Sequence, residues 1–403
     1  MSGLYSLAGA ILAMGGFTLA ACGGSSSPPT AATPPVIPGP DPITQIPPCA
    51  GGGAPLFDAL PIAAGDFLAF RPLGFLSPPI HMFPAKHSAF SMTVPGTTAI
   101  RVPVRAPGKV WVKEIWEASF STGGQNYQLY VYPCTDVRVY FGHIVTLSEK
   151  LMSEMQKVPP SCNSFSEGTA IVTTCRHENM AVQLASNEPM GTGPDTAGVD
   201  FGLLDFRLPP AAFVRLDHYD HFYPNWASPI DYFTADVRSV IASKTGSVFG
   251  SPMRTANPIG GTFMQDIPAT AQGNWFFPGV YHASSTDLSP SLGLASDYVD
   301  PGQPMMAIGT TVSGVSMGLY SFPGAGQGIV NRAFRDVRAD GNTYCYERFL
   351  RGQSTGGLPL GQPNGVLLIS MPSDTTLKME LAPGTSCTAG SRASTASATM
   401  FER

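Results

Sequence analysis

The chain has 403 residues, with only 13% charged, 44 glycines and 39 prolines. A formal net charge of −5 supplies no basic face for nucleic acid and no positive patch for anionic lipid. Scarce charge and abundant turn residues point away from a helical protein and towards a β-rich exported one, long enough for two domains.

The first segment reads as an address. Leu4–Leu19 is apolar and too short for an ordinary spanning helix of ~20 residues, but it fits the apolar core of a signal peptide. It ends in Leu19-Ala20-Ala21-Cys22, which resembles the bacterial lipobox. Residues 1–21 are therefore expected to be removed, leaving a diacylated Cys22 as the anchor. Two acyl chains hold a protein on a membrane where one does not. Residues 22–53 are rich in Gly, Ser and Pro and read as a disordered tether. The expected location is the cell envelope, on the outer membrane if the organism is diderm.

The other six cysteines imply disulfides in an oxidising compartment. Many pairings are open. The expected set is Cys162 with Cys175, closing a short loop, Cys345 with Cys387, stapling the C-terminal part, and Cys49 with Cys134 by elimination. No two cysteines have the C-x-x-C spacing of a zinc site.

Residues 54–212 form the first expected domain. Alternating apolar positions predict strands at Thr98–Val104, Gly108–Trp116, Tyr127–Tyr132, Asp136–His143 and Phe201–Phe206. Leu147–Val158 is the best helix, with Thr146 or Ser148 to cap it and Leu147, Leu151 and Met155 on one face. Residues 213–244 read as a connector rich in aromatics and His. Residues 245–388 form a second β-rich, disulfide-stapled domain. Its strands are expected at Gly273–Phe277, Met305–Thr311, Ser316–Phe322, Thr343–Phe349, Gly365–Ser370 and Thr376–Leu381. Residues 389–403 are low in complexity and read as a disordered tail. The expected fold class is mainly β: one sheet domain, then a sandwich- or barrel-like one, with few helices.

Four pieces of the first domain stand in a recognisable order. Pro84-Ala85-Lys86-His87-Ser88-Ala89-Phe90-Ser91 carries a His, Val102–Val110 reads PVRAPGKV after its first residue, Tyr140-Phe141-Gly142-His143 follows, and Gly191-Thr192-Gly193 precedes Gly198–Asp205. Together they resemble the lysostaphin/LytM-type zinc metallopeptidases, which cut cross-links in peptidoglycan. The resemblance covers about a third of the chain and implies a LytM-like β domain. It also implies a zinc held by two His and one Asp, with further His assisting. Here His87 matches the first ligand and His143 an accessory His. Ser91 stands where the family has its Asp, and Val199–Asp205 contains no His. One imidazole does not hold zinc, which needs three protein ligands and an open position. A rebuilt site would have to draw on His81, His87, Asp200 and Asp205.

The expectation is therefore a catalytically degenerate domain, with His87 and His143 as remnants of a site, no cofactor, and peptidoglycan, a glycan or an envelope protein as partner. A zinc-dependent endopeptidase with rearranged ligands is the alternative, and a structural scaffold lipoprotein the second. Two further stretches gather polar and aromatic groups. Asp217-His218-Tyr219-Asp220-His221 reads as a solvated polar loop rather than a metal site. Met264–Phe276 reads as a strand start with a buried Trp275 rather than a sugar platform.

Overall fold

In the segment Val137–Ile144, Val137, Val139 and Phe141 turn to the core, while Arg138 and Tyr140 turn to the other face. That is the two-residue period of an extended chain, and similar alternation builds most of this protein. A computed structural model describes residues 46–51, 55–78, 81–167, 170–280, 291–323, 326–352, 359–361, 363–387 and 392–403. The expected signal peptide, Cys22 and most of the tether lie outside the described residues.

The first half holds β1 (Ala69–Arg71), β2 (Ser88–Ser91), β3 (Val102–Arg105), β4 (Val110–Phe120), β5 (Gln125–Cys134), β6 (Val137–Ile144), β7 (Thr146–Leu147), α1 (Glu149–Met155), β8 (Ser161–Glu167), β9 (Ala170–His177), β10 (Val182–Leu184), β11 (Pro189–Gly193) and β12 (Gly198–Asp205). Next come β13 (Trp226–Ala227) and α2 (Ala235–Ser243). The large sheet runs β1-β2-β12-β6-β5-β4-β9-β8, with β10 on β4 and β13 on β12, and its pairings are antiparallel. A small sheet, β3-β11-β7, stands apart from it. The first core draws on the large sheet (Leu129, Val139, Phe141, Phe201), the small sheet (Val104, Met190) and both helices (Leu151, Ile241). Helix α1 starts where the sequence places it: the Ser148 side chain accepts a hydrogen bond from the Leu151 N–H.

The second half holds β14 (Gly273–Phe276), β15 (Ser291–Ser296), β16 (Pro304–Ile308), β17 (Gly318–Ser321), β18 (Thr343–Tyr346), β19 (Leu350–Gly352), β20 (Pro359–Gly361), β21 (Val366–Ser373), β22 (Thr376–Ala382) and β23 (Thr399–Glu402). They form one antiparallel sheet, β18-β21-β22-β23-β14-β15-β16-β17-β19-β20, around a core centred on Trp275, Tyr320, Tyr346 and Phe401. The chain is mainly β, as expected. The three disulfides, Cys49–Cys134, Cys162–Cys175 and Cys345–Cys387, are the expected pairs.

Three expectations need correcting. Residues 392–403 are not a disordered tail: β23 lies between β22 and β14, and Phe401 is fully buried. The Arg403 guanidinium stacks over Trp275 and donates to the Gln272 and Ile267 carbonyls, a cation–π contact that holds the strand down. Residues 213–244 are not merely a connector. Phe213, Tyr219 and Tyr223 join Leu73 and Phe83 from the first half and Phe276 and Met305 from the second in one apolar layer. That layer also takes in the stretch expected to be a solvated loop. His218 and Tyr219 are buried, and His218 lies edge-on to Phe276 with ring centroids 4.4 Å apart.

Candidate functional site

The residues singled out by sequence meet where β2, β12 and β6 lie side by side. Register places Asp200 of β12 opposite Gly142 on one neighbour and Ala89 on the other. Asp200 and Tyr140 therefore share the face away from the first core. His143 would ordinarily point to the opposite face from Gly142. A bulge intervenes: the register between β5 and β6 slips between Tyr127↔Ile144 and Leu129↔Phe141, and His143 takes a positive φ of 63°. Bulges re-aim side chains in this way, and here the imidazole arrives beside Asp200. Gly142 has no room for a side chain, since a Cβ there would sit 2.4 Å from the Tyr140 hydroxyl and 3.1 Å from Asp200 Oδ2. Its hydrogen leaves space for the hydrogen bond between Tyr140 and Asp200.

The polar groups form a chain. His87 Nδ1 lies 3.6 Å from Asp200 Oδ1 and donates to the Ser88 carbonyl at 3.1 Å. Asp200 Oδ2 lies 3.5 Å from His143 Nε2. His143 Nδ1 donates to Asp195 Oδ1 at 2.8 Å, and Asp195 Oδ2 accepts from Asn126 at 2.8 Å. Around this chain stand Phe75, edge-on to the His81 and His87 rings, and Tyr140, edge-on to Trp226. Arg71 stacks over Phe75, 3.6 Å from its centre.

The two histidines are pushed in opposite directions. Burial carries His87 down to about 4, against the attraction of Asp200, so it is neutral at pH 7. Burial pulls His143 down too, but the Asp200 charge and the Asp195 hydrogen bond outweigh it and carry it up to about 9. Burial pushes both carboxyls up, yet both end below their ordinary range. Asp195 is held there by His143, and Asp200 by its imidazole neighbours and Arg71. At neutral pH the site is a partly buried imidazolium between two carboxylates, Asp200 buried and Asp195 at the surface.

Not every expected residue is here. Ser88–Ser91 is extended and carries Ser91 about 10 Å along β2, away from the His87 end. Asp205 lies five residues along β12 from Asp200, on the opposite face, where Arg207 and the Tyr232 hydroxyl hold it. It is not part of the cluster. His81 is, with its ring centroid 5.1 Å from that of His87. Arg71, Asn126 and Asp195 belong to the site and carry no sequence signal. Asp195 sits in a Gly-Pro-Asp turn that reads as a polar loop.

A zinc ion does not fit these groups. Both His143 ring nitrogens already face carboxylates, Nδ1 that of Asp195 at 2.8 Å and Nε2 that of Asp200 at 3.5 Å. Among the described residues no group of three His, Cys, Asp or Glu side chains is placed to hold a metal. What the cluster does chemically is tie three strands together through charge. No family model, curated protein or solved structure matches the chain.

The stretch Met264–Phe276 resolves as an internal scaffold. Trp275 is fully buried and donates to the Ala271 carbonyl, and Asp266 accepts from the Asn274 and Val214 N–H groups. Asp297 likewise serves its own turn, accepting from the Val299 and Asp300 N–H groups.

Proposed function

We propose that this is an exported cell-envelope lipoprotein, anchored through Cys22, with a degenerate LytM-like domain that binds peptidoglycan, a glycan or an envelope protein without cutting it. The observation that carries the reading is the placement of His143. A group that would assist hydrolysis as an accessory imidazole is instead held between Asp195 at 2.8 Å and Asp200 at 3.5 Å. Three disulfides support an oxidising compartment. Among the described residues no helix is long and apolar enough to cross a membrane, and the lipid would be the attachment.

The test is sedimentation with purified peptidoglycan sacculi, using full-length protein in a zwitterionic detergent. Co-sedimentation without release of soluble fragments is expected. Release of cross-link-cleaved fragments would overturn the reading in favour of a zinc endopeptidase. Neither binding nor release, with no envelope protein retained either, would leave a structural scaffold.

A further inference from the structure

Beside the ion-pair chain, the sheet and the segment after it enclose a cleft of about 520 Å³, a volume within the range of small-ligand sites. Its floor is Leu73 and Phe263, both buried in the layer that joins the two halves. Trp226 forms one wall and is half-buried. Its indole is held in place: Tyr140 packs edge-on at 6.4 Å, and a Cβ at Gly202 would come within 2.4 Å of Trp226 Cζ3. Only a glycine at that position of β12 lets the ring lie against the strand. A fixed aromatic surface loses little entropy when a ligand settles on it.

The opposite wall is polar, but its charges are matched. Arg207 donates to both Asp205 oxygens, at 2.8 and 2.7 Å, and Asp205 also accepts from the Tyr232 hydroxyl at 2.7 Å. Asp231 pairs with Arg238 at 2.8 Å. Lys86 Nζ stands 5.9 Å from the centre of the Trp226 ring and is the other charge near the indole, so that neither sign of charge dominates the cleft. What remains on offer is directional: the unspent N–H groups of Arg207 and the remaining lone pairs of Asp231. A ligand that fits must be uncharged, carry an apolar face for the indole, and present donors and acceptors around its rim. A pyranose ring has that chemistry, with C–H groups on its faces and hydroxyls at its edge.

We infer that this cleft binds one or two residues of a neutral saccharide, the ring lying on Trp226 with its hydroxyls on Arg207 and Asp231. The inference rests on the binding reading above and names the ligand class and the place. A flat protein surface would not need the pairwise charge compensation, and an extended peptide would leave its backbone groups facing an indole.

The experiment titrates full-length protein, in a zwitterionic detergent free of sugar, with the disaccharide of N-acetylglucosamine, then with cellobiose and maltose, by calorimetry. Saturable binding of at least one is expected, weakened about tenfold in Trp226→Ala, as loss of one stacking contact implies. Trp226 packs on β12, so a second variant guards against misfolding. Leu208→Trp adds bulk at an exposed position on the cleft rim and should block binding with the thermal midpoint unchanged. No binding of any of the three sugars, or binding untouched by Leu208→Trp, would overturn the inference. Sacculi that sediment with the wild type and equally with Leu208→Trp would overturn the cleft but leave the binding reading. Failure of the wild type to sediment would remove that reading itself. Blockable binding of an extended peptide, with no sugar bound, would overturn the saccharide assignment.

Discussion

His87 and His143 lie on either side of one carboxylate and hold opposite protonation states. The difference comes from burial and partners. His87 is the more deeply buried, shares one carboxylate with His143 and sits beside His81, whereas His143 has two carboxylates within reach. Linkage turns this into a pH dependence. The raised His143 contributes stability that is complete below its unfolded value of 6.5 and is lost as pH rises towards 9. The lowered His87 contributes a cost that begins as pH falls below 6.5 and is complete near 4. Each effect is worth about 3 kcal/mol at its limit. Their joint contribution should peak near pH 6.5. Nuclear magnetic resonance of the imidazole protons should show one group titrating near 9 and one near 4. In urea denaturation, His143→Gln should cost most below pH 6.5 and almost nothing above 9. A constant cost across that range would show that His143 is not charged in the folded state.

At the scale of elements, strands with clear alternation could be read from sequence, and so could the capped helix. β5, β6, β12 and β22 fall where apolar residues recur every second position. The hairpin of β8 and β9 could not, because Ser161–Ser164 is polar and exposed and shows no buried face. The disulfide supplies what the pattern lacks: Cys162 and Cys175 sit directly opposite each other across the hairpin. β15 was also silent, its Ser-Leu-Gly-Leu-Ala-Ser resembling a loop although five of its six residues are buried. At the site, sequence pointed to His81, His87, His143 and Asp200. It could not supply Asp195, Asn126 or Arg71, which arrive through a turn, a neighbouring strand and the first strand of the sheet. β23 is the sharpest case, since a low-complexity run precedes a strand that completes a sheet. Deleting residues 399–403 removes Phe401 from the second core and uncovers Trp275, and should destabilise the protein by about 3 kcal/mol or more, as for loss of one large buried aromatic. Chemical denaturation measures it, and an unchanged midpoint would restore the disordered tail.

Across the whole molecule, the two large sheets are joined by an apolar layer to which both halves and the segment between them contribute. The ion-pair chain and the Trp226 cleft both lie on or beside β12, whose far end turns into that segment. A chain folded this way does not present two independent modules. Cys49–Cys134 extends the same logic to the N-terminal side, closing a separation of 85 residues between the end of the proline-rich segment and β5. In the chain-entropy model a loop of that length is worth about 4 to 5 kcal/mol.

The claim on which the rest stands is that the His87–Asp200–His143–Asp195 cluster is an ion-pair chain and not a metal centre. It is tested most directly by metal content. Full-length protein with its disulfides formed is equilibrated with zinc, freed of excess, and assayed by inductively coupled plasma mass spectrometry beside His87→Ala. Far less than one equivalent, the same in both proteins, is the expected result. Close to one equivalent in the wild type, lost in His87→Ala, would contradict the account and return the cluster to metal chemistry.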